Sequence, residues 1–310
     1  MEELGLSYTE LSKINSGIIM VSISPFGQTG PFADYKATDM TVTALGLLMN
    51  QCGEPDRPPV RVGFPQSYVN AGADAAMAAM IAHRYRKLTG EGQHIDVSAM
   101  EGVMWAGSEV LPEFFVANIN SCRVGMAFKR PNGLYTPVIW KCKDGYISFL
   151  LIAGTPGLKA NKGLLELLKQ EDIAPDYLIN KVWEDWDWES TTQDEIESVV
   201  KPFAEYFKRH TKEEIFNETA KRGISCYPVT DAADIMAEPQ LKARNFWIDV
   251  DHDELNTKIP YPGPFAVFSK TPIQQYRRAA LIGEHNRDIY ENELGFDADT
   301  IADLQASKVI

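Results

Sequence analysis

The first hundred residues alternate between short apolar runs and a long helical pattern. Residues 18–23 (IIMVSI) are apolar and mostly β-branched, which predicts a buried strand, and residues 94–98 predict a second one. Between them, residues 71–88 are rich in alanine and methionine and end in cations that suit the negative end of a helix. Gly90 and Gly92 then end that helix. Strand, helix and strand in this order predict a parallel layer with the helix packed on it, and therefore an α/β fold.

The pattern of apolar and polar residues changes after Ile119. Residues 138–140 and 146–151 predict two strands joined by a turn at 143–145. Residues 184–189 (EDWDWE) are acidic and aromatic, which predicts a packed loop or short helix, and residues 260–269 predict an extended segment. Helical patterns elsewhere in the chain cover residues 2–13, 38–50, 100–110, 162–170, 195–207, 212–221 and the tail 286–310.

Three polar loops have an ordinary structural interpretation. Residues 24–31 (SPFGQTGP) are dense in glycine and proline and predict a shaped turn between a strand and a helix. The turn at 89–93 (TGEGQ) serves to cap a helix and to direct the next strand. Residues 283–286 (GEHN) can be a helix entry with Asn286 as its N-cap.

Composition and charge limit the partners. Hydrophobic residues make up 45% of the chain and the formal net charge is −13, so neither nucleic acid nor an anionic membrane is an expected partner. No apolar run is long enough to span a bilayer, and residues 1–15 do not have the pattern of a signal peptide. The four cysteines are far apart and include no CxxC pair, which favours free thiols in the cytoplasm.

Common catalytic motifs are missing from the sequence. It contains no GxGxxG, Walker, HExxH or GxSxG motif, and its five histidines do not have metal-ligand spacing, so no metal site is expected. The residues by themselves therefore indicate an α/β protein with an unusual glycine loop and no further chemistry.

Three blocks of the chain, in order, resemble the class III CoA-transferases, the formyl-CoA and carnitine CoA-transferase family. Residues 19–39 match the family's strand, glycine loop and following acidic residue. Residues 72–97, with HRYRKLTGEGQHIDV, match its basic helix end, turn and strand. Residues 281–310 begin with LIGEHN and match its GEHN signature and closing helix. Together the blocks cover nearly the whole chain.

The resemblance implies an architecture and a way of assembling. Residues 1–120 together with 229–310 would form a large Rossmann-like domain, and residues 136–228 a smaller α+β domain inserted between them. Two such chains would interlock as a dimer. Family members carry a further N-terminal segment with basic residues that grip CoA, so we expect this chain to be shortened at that end or to depend on another chain.

The resemblance also implies a reaction. Members move CoA from a thioester donor to a carboxylic acid, so CoA and acyl-CoA are substrates and no cofactor is bound covalently. An aspartate attacks the donor and forms a mixed anhydride, which CoA converts to an enzyme thioester. Backbone N–H groups of a glycine-rich flap would stabilise the oxyanion. The flap corresponds here to residues 130–135 (RPNGLY), in which Gly133 is the single glycine.

The resemblance assigns further residues to the site. Those that would bind CoA are Ser24, Gly27, Gly30, Arg84 and Arg86. Those that would line the site are Asp39, Glu284 and His285. If CoA binds, loop 24–31 and the basic helix end at 84–87 should lie on the same side of the molecule, near its phosphates. The alternative is that Arg84 and Arg86 are surface cations complementing a helix end.

The sequence departs from the family at the nucleophile. The family's aspartate lies four residues before Gly72, and Tyr68 occupies that position. A phenol is a poor nucleophile at neutral pH and a poor anhydride former. Asp74 lies six residues further on, and on a helix that places it on another face, so a solvated or capping role is expected for it.

Three functions remain open at this point. The chain could be an active CoA-transferase for a small or aromatic acid, with a relocated nucleophile. It could be a subunit without the nucleophile that pairs with an aspartate-bearing paralogue, as in heteromers of the benzylsuccinate CoA-transferase type. It could also be a CoA-ester isomerase or racemase of the same fold. Tyr68 favours the second function. The sequence leaves open which acid and which CoA donor are used, and whether the assembly is a homodimer or a heteromer.

Overall fold

The computed structural model describes residues 1–108, 110–130, 132–273 and 276–310. The chain falls into two compact units, Met1–Val229 and Thr230–Ile310. Helices and strands are mixed in both, so the predicted α/β class is confirmed. The predicted joining of residues 229–310 with 1–120 in one domain stays a prediction.

The first part of unit 1 is a parallel layer with a helix on it. Its elements are α1 (Tyr8–Ile14), β1 (Ile19–Ser24), α2 (Asp39–Leu45), α3 (Ser67–Thr89), β2 (Gln93–Ser98), α4 (Ala99–Ala106) and α5 (Val110–Ala117). Strands β1 and β2 pair in parallel, from Ile19 opposite Gln93 to Ser24 opposite Ser98. Helix α3 packs against both strands. This confirms the predicted strand, helix and strand layer.

Small residues allow α3 to approach its neighbours closely. Ala71 and Ala75 are buried with Val97 of β2 and Val103 of α4 in a compact apolar cluster. The helix ends at Gly90, whose φ of +82° is the left-handed conformation that closes many helices. Gly92 then passes so near β1 that a Cβ atom on it would lie 1.8 Å from the Ile18 carbonyl oxygen.

Glycines divide several helices that the apolar pattern predicted as continuous. Gly5, with a φ of +65°, separates a short 3₁₀ turn at Glu2–Leu4 from α1. Gly46 ends α2, and a 3₁₀ turn at Leu48–Gln51 follows instead of the predicted helix to residue 50. Gly107 ends α4, so the predicted helix 100–110 stops at Ala106, and α5 begins only at Val110. The apolar periodicity of the sequence continues across these glycines, but the helical conformation of the backbone does not.

The second part of unit 1 has its own core. Its elements are β3 (Ala127–Lys129), β4 (Tyr135–Pro137), β5 (Ile139–Cys142), β6 (Gly145–Phe149), α6 (Thr155–Gln170), α7 (Asp176–Ile179), α8 (Gln193–Arg209), α9 (Lys212–Lys221) and β7 (Cys226–Pro228). Strands β5, β6 and β7 form an antiparallel sheet, and Trp140, Phe149 and Phe207 pack together on it. The predicted strand pair with its turn at 143–145 and the three predicted helices are confirmed.

Unit 2 is smaller. Its elements are α10 (Ala232–Ala237), α11 (Pro239–Ala243), β8 (Trp247–His252), β9 (Thr257–Pro262), a π-helix (Arg287–Glu293) and α12 (Ala298–Ala306). Strands β8 and β9 form an antiparallel hairpin. The predicted helical tail is confirmed, and Asp297 provides the acidic cap of α12 by accepting from the Thr300 N–H group at 2.8 Å. Of the predicted extended segment 260–269, only the part up to Pro262 is strand.

None of the helices in the described part of the chain is long and apolar enough to cross a membrane. Within the same residues, no three His, Cys, Asp or Glu side chains are grouped so that they could hold a metal ion.

Candidate functional site

Tyr68 lies in the first turn of α3, and its position is fixed by Asp39. The Oδ1 atom of Asp39 accepts hydrogen bonds from the backbone N–H groups of Gln66 at 2.7 Å and Ser67 at 2.8 Å, and from the Ser67 hydroxyl at 2.8 Å. Ser67 is completely buried, whereas Tyr68 beside it is 41% exposed. One carboxylate therefore satisfies the donors at the start of α3 and presents Tyr68 at the surface.

The environment of Asp39 favours its charged form. Burial works against the carboxylate, but hydrogen bonds from Ser67 and Gln66 and the positive charge of Arg61 outweigh it, so the pKa of Asp39 is lowered. This acidic residue was predicted to line the site, and in the structure it holds the helix that carries Tyr68.

Asp74 follows Tyr68 by six residues on α3, a spacing that places the two residues on different faces of the helix. Its Oδ2 atom lies 2.8 Å from the position that a Cβ atom on Gly102 would occupy, so the carboxylate packs against α4. Its place is therefore the inner side of α3, between helices.

The glycine loop follows the carboxyl end of β1. Gly27 and Gly30 have φ angles of +85° and +87°, which glycine adopts without strain. The Gln28 N–H group donates to Oδ2 of Asp96 on β2 at 2.8 Å, which fastens the loop to the neighbouring strand. The Ser24 hydroxyl oxygen is buried and has no hydrogen-bond partner among the described residues. The carboxyl ends of parallel strands are the edge at which α/β proteins bind ligands.

The basic end of α3 lies at the opposite edge. Arg86 donates to the carbonyl oxygen of Gly17, which precedes β1, at 3.3 Å, and its other terminal nitrogen lies 2.9 Å from Nδ1 of His83. Arg84 is exposed. Since β1 is six residues long, loop 24–31 and Arg86 are separated by about 20 Å along the strand. The prediction that they share one side of the chain is wrong, because α3 runs antiparallel to the strands.

The predicted flap, residues 130–135, forms the turn of the β3–β4 hairpin, apart from Pro131, which lies outside the described residues. The Arg130 N–H group donates to the Leu134 carbonyl at 2.8 Å, and the Gly133 N–H group donates to the Arg130 carbonyl at 2.9 Å. Gly133 has a φ of +87° and nothing within 4 Å of the position of a Cβ atom. Gly133 thus allows the tight turn, and its N–H group is already hydrogen-bonded within that turn.

Side chains fasten this flap to the acidic and aromatic segment 184–189. The Asn132 amide donates to the Trp188 carbonyl at 2.7 Å, and the Arg130 guanidinium lies 3.4 Å from the centre of the Trp188 ring. The Tyr135 N–H group donates to the Gln193 side chain at 3.0 Å. Arg130 and Trp188 were not among the predicted site residues. The only signals for them in the sequence were the two tryptophans of segment 184–189 and the arginine at the start of the predicted flap.

Glu284 and His285 lie in unit 2. Glu284 accepts two hydrogen bonds from Arg278, both 2.8 Å long, and one from the Leu281 N–H group at 2.7 Å. The bonds from Arg278 are the main cause that lowers the pKa of Glu284 to about 2. His285 is exposed beside the same arginine in a shallow groove. Asn286 precedes the π-helix, but its side chain makes no capping hydrogen bond, so the expected N-cap is not formed.

The sequence profile described as CoA-transferase family III matches residues 1–286. The chain belongs to CoA-transferase family III. Succinyl-CoA:(R)-benzylsuccinate CoA-transferase subunit BbsE of Thauera aromatica is 31% identical over 98% of this chain and 72% of its own length. Succinyl-CoA–D-citramalate CoA-transferase of Chloroflexus aurantiacus is 28% identical over all of this chain and 74% of its own length. The predicted family is thereby confirmed.

The fold of this family III chain also resembles a solved structure. A CAIB/BAIF family protein from Brucella suis superimposes with a TM-score of 0.73 and 24% identity, over 94% of this chain and 72% of that one. At that identity the likeness concerns the fold alone. It places the mixed α/β architecture described above within a known arrangement.

Proposed function

We propose that this chain is one subunit of a CoA-transferase that moves CoA between a CoA thioester and a carboxylic acid, and that a second, paralogous subunit supplies the aspartate nucleophile. The proposal rests on Tyr68, which its spacing to Gly72 aligns with the family's aspartate, and which lies in the first turn of α3 beside the contact between Ser67 and Asp39. A phenol cannot form the mixed anhydride through which CoA is exchanged. Asp74 packs against α4 and is poorly placed to replace it.

The names of the relatives support both halves of the proposal. BbsE of Thauera aromatica is named as a subunit of a succinyl-CoA-dependent transferase. A second relative, 24% identical, is named as the beta subunit of the succinyl-CoA–L-malate CoA-transferase of Chloroflexus aurantiacus. CoA thioesters and carboxylic acids are thus the proposed substrates, and the cytoplasm is the proposed compartment.

Exposed apolar side chains on unit 1 fit a subunit interface. Trp105 at the end of α4 is 75% exposed and Phe115 in α5 is 78% exposed. On α3, Met80 is 67% exposed and Ile81 is 64% exposed. Apolar surface of this kind is costly in water and is characteristic of protein–protein contacts. A paralogue of the same fold, interlocked as the family resemblance implies, is the partner we propose for it.

The glycine loop is the proposed contact for CoA in this chain. Ser24, Gly27 and Gly30 lie at the carboxyl edge of the β1–β2 pair, where backbone N–H groups can receive a phosphate or a carbonyl oxygen. The β3–β4 turn with Gly133 is the proposed flap. Arg84 is exposed at the opposite edge of the same layer. It can contact only a CoA molecule that is bound by another part of the assembly.

Reconstitution tests the proposal. The purified chain and a paralogue that carries aspartate at the aligned position are assayed separately and together, with succinyl-CoA and a panel of carboxylic acids, by chromatography of the CoA esters. We expect turnover only with both chains, and loss of turnover when the paralogue's aspartate is changed to asparagine. Equal turnover by this chain alone would overturn the proposal.

A further inference from the structure

The backbone N–H groups of the proposed flap, residues 130–135, are nearly all used within the chain. Residue 131 is a proline and has no N–H group, so the segment holds five of them. Four of the five donate hydrogen bonds 2.8 to 3.3 Å long, namely those of Arg130, Gly133, Leu134 and Tyr135. An N–H group that is already paired can donate to a ligand oxygen only after its own bond has broken.

Gln193 fastens one side of the flap by both ends of its amide. Its Oε1 atom accepts from the Tyr135 N–H group at 3.0 Å, and its Nε2 atom donates to the Tyr135 carbonyl at 3.2 Å. Gln193 is the first residue of α8, a helix whose Ile196 and Val199 are fully buried. Because two bonds from one side chain meet the same residue, they fix the orientation of Tyr135 as well as its position.

Leu151 and Trp188 fasten the other side of the flap. The Nη2 atom of Arg130 donates to the Leu151 carbonyl at 2.8 Å, and the same guanidinium lies 3.4 Å from the centre of the Trp188 ring, a cation–π contact. The Asn132 amide donates to the Trp188 carbonyl at 2.7 Å. Trp188 is therefore held to the flap through both its ring and its backbone.

These attachment points belong to the core of the second part of unit 1. Leu151 is completely buried, and Trp188 packs against the buried cluster beside Trp186, with the two ring centroids 5.3 Å apart. Leu134, in the flap itself, packs against the same cluster. A close-packed core does not deform readily, so a segment that is tied to it at several points has little freedom to move.

We infer that this flap stays fixed and does not close over a ligand, so that the paralogue of the proposed transferase supplies the segment that closes over the thioester and donates to its oxyanion. The part that concerns the paralogue rests on the proposed function, whereas the fixed flap rests on this chain alone. Opening would have to break the contacts of Arg130, Asn132 and Tyr135 together, because all three belong to one short turn. The competing role is that of a flap that opens freely and folds down on bound CoA.

Hydrogen exchange followed by mass spectrometry distinguishes the two roles. The full chain is measured alone and reconstituted with its paralogue, each with and without saturating succinyl-CoA. Peptides covering residues 130–135 should exchange about 10-fold more slowly than an unstructured peptide of the same sequence, at a rate that succinyl-CoA leaves unchanged. In the reconstituted pair, succinyl-CoA should slow exchange in the aligned segment of the paralogue. Exchange at the unstructured rate in the free chain, or slowing of this chain's flap by succinyl-CoA, would overturn the inference.

A double variant tests whether the contacts hold the flap in place. Gln193→Ala and Arg130→Gln, made together, remove contacts on both sides and should speed exchange of the flap about 10-fold, while peptides from the interior of α8 keep the wild-type rate. The matched control carries Gln305→Ala and Arg277→Gln, at two exposed residues of unit 2, and should leave the flap unchanged. Equal exchange of the flap in the two proteins would overturn the inference. A thermal unfolding curve for each variant confirms that the compared proteins are folded.

Failure of this inference is separable from failure of the proposed function. Turnover by the reconstituted pair, with succinyl-CoA slowing exchange in the flap of this chain or leaving the paralogue's segment unchanged, would overturn the inference alone. A slowly exchanging flap without turnover in the reconstituted pair would overturn the proposed CoA transfer and leave the fixed flap standing.

Discussion

The carboxylate of Asp39 accepts two hydrogen bonds from Ser67, the residue immediately before Tyr68. One oxygen of Asp39 accepts from both the backbone N–H group and the hydroxyl of Ser67, each at 2.8 Å. The contact joins the first residue of α2 to the first residue of α3, which lie 28 positions apart in the chain. The position of Tyr68 is thus fixed by a polar contact between residues that are remote in sequence.

Replacement of Asp39 should loosen the start of α3. Asp39→Ala leaves the buried donors of Ser67 without an acceptor, at a cost of about 1–3 kcal/mol in the free energy of unfolding. Denaturant unfolding measures this loss. Asp34→Ala, at an exposed aspartate of the preceding loop, is the control and should change stability little. Equal stability of the two variants would contradict the role given to Asp39.

The same contact predicts a dependence on pH. Because the folded pKa of Asp39 is lowered, its stabilising contribution is fully present above the ordinary aspartate pKa of about 3.9 and is lost as the pH falls through the lower folded value. Asp39→Asn should therefore lose less stability than the wild type on acidification below about pH 4. Parallel loss in both proteins would show that Asp39 does not contribute.

Gly92 should tolerate no side chain, whereas Gly72 should. A Cβ atom on Gly92 would lie 1.8 Å from the Ile18 carbonyl oxygen, so Gly92→Ala must displace β1 or β2 and should cost about 3 kcal/mol. Gly72 lies in α3 with nothing within 4 Å of its Cβ position. Gly72→Ala should stabilise the protein by about 0.5–1 kcal/mol, because alanine suits a helix interior better than glycine. Thermal unfolding of both variants checks the contrast.

Glu284, although exposed, should contribute to stability through its hydrogen bonds with Arg278. Its pKa of about 2 comes first from the hydrogen bonds of Arg278, so its contribution is present above the ordinary glutamate pKa and is lost as the pH falls towards 2. Glu284→Gln should lower the unfolding temperature at pH 7, and the difference from the wild type should shrink at pH 3. Glu293→Gln, at an exposed glutamate of the π-helix, is the matched control.

The four thiols should differ sharply in reactivity. Burial raises the pKa of Cys226 to about 12 and also raises that of Cys142, whereas Cys122 is exposed. At pH 8, iodoacetamide should label Cys122 rapidly and leave Cys142 and Cys226 unmodified in the folded protein, since the thiolate is the reacting form. Peptide mass spectrometry locates the labels, and unfolding in denaturant should expose all four cysteines. Rapid labelling of Cys226 in the folded chain would contradict the buried core.

The sequence predicted the strands and the helix of the β1–α3–β2 layer more accurately than it predicted which residues lie at each edge of that layer. Apolar runs and small residues identified β1, β2 and α3, because burial leaves a direct mark on composition. The start of α3 at Ser67 escaped the pattern, since it depends on Asp39, which is remote in sequence. Glycines at 46 and 107 broke helices whose apolar period continued.

Of the candidate site, the spacing to Gly72 singles out Tyr68, whose role stays a prediction. The pairing of Arg84 and Arg86 with loop 24–31 failed because a helix that connects two parallel strands carries its end back to the opposite edge of the sheet. The contact of Arg130 with Trp188 escaped notice because the two residues lie 58 positions apart in the chain.

The location of the covalent intermediate tests the central claim most directly. The chain and its aspartate-bearing paralogue are mixed with succinyl-CoA, trapped with hydroxylamine, and digested for mass spectrometry. The account predicts a modified aspartate on the paralogue and no adduct on this chain, alone or paired. An adduct on Asp74, Tyr68 or any other residue of this chain would contradict it.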